Sequence, residues 1–471
     1  MNQEIQITKK QPSELAEPPR EDDATAHDLE QQEQGLHAAA AHQDHHRSKL
    51  TVLPLVFLIY FEVAGGPYGS ERVVRAAGPL FTLLGFLVFP FAWGVLESLV
   101  TAELAAALPG NGGFVLWADR AFGPLLGTWK YLSCVVNIAA YPALVADYLG
   151  RAVPALADAG SRTRTGTVVG MKVLLCLLNC TGVGIVGWGA VALGVVSLAP
   201  FVLMTGIAVP KMRPRRWAAR LDGTKQDWRL FFNTLFWNLN YWDSASTMAG
   251  EVDRPESTFP RALAVAVVLI AASYLLPLMA AIGATDAPPE EWANGYLADA
   301  AGIIGGGWLK YWIQAGAVLS SIGMFEAQLS SGAYQLLGMA ELGLLPAVFA
   351  RRATRFRTPG SPIPPPPPFD DVVATANFLY SLGTLLEFAA FLWLRARRPD
   401  LKRPYRVPLP LPALATICTV PSMFLAYVCV VAGWTVFALA GALTALGVGL
   451  HYTMRLCRSR KWLRFNTAVV A

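Results

Sequence analysis

Long apolar stretches separated by short polar linkers recur along the chain from Thr51 onward. Each stretch can cross about 30 Å of hydrocarbon at about 1.5 Å per residue, so each predicts a transmembrane helix. The eleven candidate spans are 51–77, 79–107, 124–149, 167–183, 184–209, 229–250, 262–284, 309–337, 372–394, 409–431 and 434–454. The pattern predicts an all-α polytopic membrane protein.

The first span is interrupted near its middle. Residues 65–69 read Gly-Gly-Pro-Tyr-Gly, and three glycines with a proline in five residues do not stay regularly helical. Transporters use such breaks as binding sites, because broken backbone inside a membrane must line a cavity or be buried in protein. The sixth span has a matching polar interruption at 237–244. Two breaks five helices apart are expected if two five-helix halves repeat in inverted orientation.

Composition agrees with a membrane protein and separates the two ends from the middle. Hydrophobic residues make up 54% of the 471 residues, charged residues only 15%, and the mean hydropathy is +0.40. Residues 1–49 hold ten acidic and five basic side chains and no aromatic ones, which predicts a disordered acidic cytoplasmic tail. Residues 50–456 then form the transmembrane transporter domain, and residues 457–471 form a short basic cytoplasmic tail.

Several function classes lose support from the same composition. The basic side chains lie in short linkers between apolar runs, where membrane topology explains them. The excess of basic over acidic residues is therefore no sign of nucleic-acid binding. The six cysteines contain no CxxC pair, and five of the six histidines fall in the tail, so we expect no metal site and no cofactor. No nucleophile, base and orienting group form a recognisable set, so we do not expect an enzyme.

Two basic linkers raise a question of topology. Residues 351–357 and 395–398 should both be cytoplasmic by the positive-inside rule, although only the span 372–394 separates them. A chain with eleven crossings would place these linkers on opposite faces. The Pro-rich linker 359–368 is too short and too rich in proline to be a further helix. Either a ninth span is missing or one basic loop violates the rule, as 211–229 also does, and we favour the missing span.

Taken together, these features resemble the amino acid-polyamine-organocation superfamily. The resemblance rests on the Gly65-Gly66 break and on the segments 102–113, 250–261 and 402–405. Within the superfamily, residues 65–69 and 237–244 are similar to those of the plant polyamine uptake transporters, which are polyamine:proton symporters.

The resemblance implies a LeuT-like five-plus-five inverted repeat with two further helices, and normally twelve spans. It implies uptake of spermidine, spermine and putrescine, with paraquat as an opportunistic dication, by proton symport at the plasma membrane. The amino terminus would be cytoplasmic. A proton-coupling lysine that some bacterial relatives carry on the fifth span has no counterpart, because 184–209 contains no ionisable side chain.

Ionisable side chains inside predicted spans are candidates for function, because they are costly there. Acids dominate, and an excess of carboxylates suits a polyvalent cation whose ammonium groups need acceptors. Aromatic faces can add about 0.5 to 2 kcal/mol each. The predicted substrate-binding residues are Glu62, Gly65, Gly66, Tyr141, Trp237, Asn240, Tyr241 and Asp243. The predicted gating or coupling residues are Glu71, Glu103, Glu326 and Glu387.

Alternatives remain open for individual residues and for the whole chain. Glu97 could pair with Lys172 in a buried ion pair that fixes helix packing.

The first break also bears on the choice of substrate. Pro67 has no N–H to offer a substrate carboxylate, and Glu62 and Glu71 on either side of the break repel an anion, which favours a substrate with amines only. A cationic amino-acid carrier of the same fold is the alternative function. A non-transporting truncated isoform or faulty gene model is another.

Overall fold

In a computed structural model the described residues are 49–123, 128–150, 153–156, 158, 161–221, 225–350 and 369–466. The predicted amino-terminal tail, apart from Lys49, and the whole Pro-rich linker 359–368 lie outside the described residues. Part of the predicted carboxy-terminal tail is described, and its first residues continue the last helix to Ser459.

The described residues form fifteen α-helices and no β-sheet. They are α1 (Val52–Val63), α2 (Glu71–Ala77), α3 (Pro79–Phe89), α4 (Val95–Ala107), α5 (Phe114–Phe122), α6 (Thr128–Gly150), α7 (Arg162–Asn179), α8 (Val183–Ala208), α9 (Trp228–Trp237), α10 (Pro255–Ala284), α11 (Tyr296–Gly305), α12 (Gly307–Glu341), α13 (Phe369–Arg397), α14 (Leu411–Val431) and α15 (Trp434–Ser459). The all-α prediction is confirmed for this part of the chain.

Each of the eleven predicted spans lies on a helix or on a broken pair of helical segments. The first span is α1 and α2 with a gap between them, and the sixth is α9 followed by a 3₁₀ segment at Ser244–Glu251. In the second span a π-helical turn at Pro90–Gly94 joins α3 to α4, because Pro90 has no N–H for the regular ladder.

Six helical segments of the described chain have the length and hydropathy to cross a membrane. They are Pro79–Ala107, Val183–Lys211, Pro255–Ala284, Val373–Arg397, Leu411–Val431 and Trp434–Ser459. That all eleven segments cross stays a prediction. The sequence analysis missed two shorter helices, α5 and α11, because neither is long enough to register as a span.

The two broken spans run in opposite directions. Leu50, just before α1, donates its N–H to the carbonyl of Glu251 at the end of the 3₁₀ segment (2.9 Å). At the other end, Asp227, just before α9, donates its N–H to the carbonyl of Ala76 in α2 (2.8 Å). The beginning of each broken span therefore lies beside the end of the other.

Helices α12 and α13 end at the same face of the molecule. Gly338, near the end of α12, packs on the turn after α4 so closely that a Cβ would lie 2.3 Å from the carbonyl oxygen of Asn111. Arg395, near the end of α13, binds Glu103 in the last turns of α4. Both helices therefore end at one face, which agrees with the positive-inside rule for the basic sequences that follow them.

Candidate functional site

The first break interrupts the helix between α1 and α2 with buried, irregular backbone. Gly65 has φ +62° and Gly66 has φ +109°, a conformation that residues with a Cβ rarely adopt. A Cβ on Gly65 would lie 2.6 Å from the side chain of Met324 on α12. Ser320 of α12 donates its hydroxyl hydrogen to the Gly65 carbonyl. The glycines thus let α12 pack directly on the broken backbone.

The second break separates α9 from the 3₁₀ segment. Tyr241 lies within it at φ +68°, an uncommon conformation for a bulky residue. Three contacts hold it there. Its N–H donates to the hydroxyl of Tyr380 (2.9 Å), its own hydroxyl bonds to that of Ser133 (2.9 Å), and the two tyrosine ring centres are 4.3 Å apart.

Tyr274 of α10 joins the two breaks. Its hydroxyl lies 3.3 Å from the carbonyl oxygen of Ala64 at the first break and 3.0 Å from that of Asn238 at the second. The side chain is fully buried. Tyr274 is absent from the residues predicted from the sequence, because a tyrosine in an apolar span carries no local sign that it contacts the two breaks.

Glu62 places a carboxylate beside both breaks. It is 2% exposed. Ser331 donates its hydroxyl hydrogen to one carboxylate oxygen, and Gln328 donates to the Glu62 carbonyl (3.0 Å). The second carboxylate oxygen, Oε2, has no hydrogen-bond partner among the described residues. Because buried polar atoms are normally paired, this oxygen is suited to a donor from a ligand.

Asp243 lies at the far end of the second break. Its Oδ1 accepts a hydrogen bond from the hydroxyl of Tyr380 on α13 (2.6 Å), and the same hydroxyl is hydrogen-bonded to Glu97 on α4. All three side chains are buried. Tyr380 is absent from the site predicted from the sequence, since nothing near it in the sequence indicates that it contacts Glu97 and Asp243.

The remaining predicted binding residues form polar links around the breaks. Trp237 donates its indole N–H to Asn137 on α6 (3.1 Å), and Asn137 donates to the Tyr141 hydroxyl (2.8 Å). Asn240 donates to Asn377 on α13 (3.1 Å), while its own Oδ1 has no partner among the described residues. The structure thus places all eight predicted residues at or beside the breaks, and their role in binding stays a prediction.

Two cavities reach the breaks from different sides. The larger, about 280 Å³, is lined by Tyr68, Gly69 and Trp237, and its wall also carries Arg72 and Arg229. The smaller, about 10 Å³, lies on the side of the 3₁₀ segment. Its lining includes Cys134, Tyr241, Ser244, Ser331 and Tyr380. The broken backbone therefore lies between a larger cavity and a much smaller one.

Two of the predicted gating residues act as anchors. Glu71 accepts hydrogen bonds from the backbone N–H of Gly69 (2.8 Å) and of Gly295 (3.0 Å), which ties the first break to the residue before α11. Glu103 forms ion pairs with Arg395 and with Arg403, whose Nε lies 3.2 Å away.

The other two predicted gating residues face different neighbours. Glu326 on α12 accepts from Asn179 of α7 (3.1 Å), so it points away from the breaks. Glu387 is buried on α13, about two turns beyond Tyr380. Whether any of the four moves during function stays a prediction.

The suggested pairing of Glu97 with Lys172 does not agree with the arrangement of the helices. Lys172 lies on α7, which packs on α6, α8 and α12, whereas Glu97 on α4 reaches Tyr380 of α13. Among the described residues no group of three His, Cys, Asp or Glu side chains is placed to hold a metal ion.

Comparison with known proteins gives a consistent set of relatives. The family model for amino acid permeases matches residues 50–363. A protein named "Probable polyamine transporter" of Arabidopsis thaliana is 49% identical over 432 residues, which cover 88% of this chain and 89% of the relative. The polyamine transporter PUT1 of Oryza sativa subsp. japonica is 46% identical, covering 88% and 80%. The polyamine transporter RMV1 of Arabidopsis thaliana is 42% identical, covering 89% and 88%.

Proposed function

The chain belongs to the amino acid permease family and is a multi-pass membrane transporter, and from this premise we propose that it imports polyamine cations together with protons. Relatives named as polyamine transporters support the substrate class, since they share 42–49% of their residues with this chain over most of its length. The proposed substrates are spermidine, spermine and putrescine, with paraquat as an opportunistic dication. The proposed location is the plasma membrane, with a cytoplasmic amino terminus.

The proposed fold is a LeuT-like five-plus-five inverted repeat followed by two helices. Two broken spans that run antiparallel, with four unbroken predicted spans between them, support it. In such a fold the breaks form a midplane site, and one half rocks against the other to open each face in turn. The two cavities of unequal size on either side of the breaks fit this alternating access.

The proposed substrate class rests on the buried carboxylate of Glu62, whose Oε2 has no hydrogen-bond partner in the described part of the chain. A polyamine offers ammonium groups, which donate hydrogen bonds and carry positive charge, and a buried carboxylate needs both. Asp243 and Asn240 supply further acceptor oxygens at the second break. The rings of Tyr141, Trp237 and Tyr241 offer faces for cation–π contact.

The backbone of the first break favours amines over amino acids. An amino-acid carrier of this fold holds the substrate carboxylate with backbone N–H groups at the break. Here the N–H groups of Ala64 and Gly65 both donate to the Tyr60 carbonyl, and that of Gly69 donates to Glu71. Pro67 has no N–H at all. Few donors remain for a carboxylate.

The membrane potential alone can drive the import. Each positive charge that moves inward down about 100 mV releases about 2.3 kcal/mol, so a trivalent polyamine releases roughly 7 kcal/mol. That energy corresponds to a concentration ratio on the order of 10⁵. Proton coupling would therefore add to an import that is already favourable. Whether protons enter with the substrate has to be measured separately as a proton flux.

The proposed function can be tested with the full chain in proteoliposomes that hold an inside-negative potential. We expect radiolabelled spermidine to accumulate, and the methyl esters of lysine and arginine to compete at least as well as the free amino acids. Stronger competition by the free amino acids would instead show a cationic amino-acid carrier. No accumulation of either substrate class, in protein shown to be folded, would support the non-transporting alternative.

A further inference from the structure

The buried hydroxyl of Tyr380 has three hydrogen-bonding neighbours at the second break. Its oxygen accepts from the N–H of Tyr241 (2.9 Å), lies 2.6 Å from Asp243 Oδ1, and is hydrogen-bonded to Glu97 Oε1. The two carboxyl groups are 0% exposed and the tyrosine is 1% exposed. Two carboxyl groups on different elements thus share one phenol.

The hydrogens that these contacts require bear on the protonation state of the cluster. Each contact between two electronegative atoms requires a hydrogen between them. Tyr241 supplies one, and the Tyr380 hydroxyl supplies a second to only one of the two carboxyl groups. If both carboxyl groups were ionised, the third contact would bring two oxygens together with no hydrogen. A protonated carboxyl that donates to the second lone pair of the Tyr380 oxygen completes the set.

We propose that Glu97, Tyr380 and Asp243 form a proton-binding site that holds one proton on either carboxyl group, and that this proton is the one carried with the substrate. The first statement stands on the contacts alone. The second rests on the proposed polyamine import.

The surroundings favour a retained proton. Among the described residues, titratable groups that face the cluster include the carboxyl groups of Glu62 and Glu387, the thiol of Cys134 and the phenol of Tyr241. Each of these groups is neutral or negative. Because carboxylates at short range repel each other, a proton shared between Glu97 and Asp243 lowers the electrostatic energy of the cluster.

The site connects three parts of the fold, so the proton can affect the second break. Glu97 lies on α4, Tyr380 on α13, and Asp243 directly before the 3₁₀ segment. With the proton bound, the hydroxyl of Tyr380 can hold Tyr241 and both carboxyl groups at once. Release of the proton removes one contact, either that of Tyr380 with Asp243 at the break or that of Tyr380 with Glu97 on α4. The proton therefore stabilises the arrangement of the three side chains that is seen here.

Infrared spectroscopy of the purified full-length protein tests the proton site without any transport. At neutral pH the spectrum of the wild type minus that of Glu97→Gln should contain the carbonyl stretch of a protonated carboxylic acid. The side-chain amide introduced by this substitution donates the missing hydrogen, so Asp243 then needs no proton. The spectrum of the wild type minus that of Asp243→Asn should contain the same band. Absence of the band from both difference spectra would overturn the proposal.

Proton flux in proteoliposomes tests the coupling. Spermidine should drive proton influx in the wild type and in the control Asp400→Asn, which alters an exposed carboxylate paired with Arg398 at the surface. In Glu97→Gln, spermidine uptake should continue and the proton influx should be lost. If Glu97→Gln fails to fold, Tyr380→Phe serves as the second variant. It removes the shared hydroxyl and should also lose the proton influx.

The outcomes separate the two proposals. Proton influx that persists in both Glu97→Gln and Tyr380→Phe would overturn the coupling role of this site while leaving polyamine import intact. A protonated band without any spermidine uptake would support the proton site and reject the proposed substrate.

Discussion

Glycine at position 65 is required by both backbone angle and space. Its φ of +62° is uncommon for residues with a Cβ, and a methyl group there would lie 2.6 Å from the side chain of Met324. We expect Gly65→Ala to abolish spermidine uptake or to lower surface abundance strongly. Radiolabelled uptake normalised to surface protein measures both effects.

A matched control for this change is Gly166→Ala in α7. An added Cβ there meets no atom within 4 Å, and its backbone is helical. Alanine favours a helix over glycine by about 1 kcal/mol, so this variant should retain its abundance and uptake. Normal uptake in Gly65→Ala would show that the first break does not need its present form.

At the scale of single residues, the sequence predicts both breaks, because glycine, proline and polar residues inside an apolar span indicate locally that the helix is interrupted. Glu62 and Asp243 are also predicted from the sequence, because placing a carboxylate inside a membrane span costs free energy and is rare without a function. Neither Tyr274 nor Tyr380 is predicted in this way. Their roles depend on partners more than 30 and 130 residues away, respectively, and no short pattern records such a pairing.

At the scale of elements, Glu103 connects α4 to the end of α13 and the segment after it. Its carboxylate is 1% exposed, pairs with Arg395 and Arg403, and accepts the N–H of Val407 (2.8 Å). Two of the segments that carried the family resemblance, 102–113 and 402–405, thus meet in space. Nothing in the sequence of either segment predicts that the two touch.

We expect Glu103→Gln to destabilise the protein. Removing one partner of a buried ion pair leaves a charge uncompensated and typically costs about 3 to 5 kcal/mol. Thermal unfolding in detergent measures the change. As a control, Asp400→Asn breaks an exposed ion pair with Arg398, whose worth is about 0 to 1 kcal/mol. Equal melting temperatures for Glu103→Gln and Asp400→Asn would contradict the anchoring role of Glu103.

For the whole molecule, the main question is the direction of α12 and α13. Both helices end at the face of the turn after α4, so Ala350 and Asp400 should lie on the same side of the membrane. An alternation of eleven helical crossings would put them on opposite sides. The two basic linkers reveal this conflict in the sequence, but hydropathy alone does not give the direction of a helix.

Cysteine labelling in intact cells can decide this point. We expect single cysteines at Ala350 and at Asp400 both to resist a membrane-impermeant reagent added outside and to react after permeabilisation. The six native cysteines would first be replaced, since they could also react. Labelling of one position from outside and not of the other would show that the helices run in opposite directions.

The central claim is that the carboxylates at the breaks bind the ammonium groups of a polyamine, and the apparent affinity for spermidine in Glu62→Gln and Asp243→Asn tests it most directly. Loss of a charge-assisted hydrogen bond costs about 1.5 to 3 kcal/mol, so each variant should raise the apparent substrate constant roughly ten- to hundredfold at unchanged surface abundance. Unchanged apparent affinity in both variants, with uptake normalised to surface protein, would contradict the assigned site.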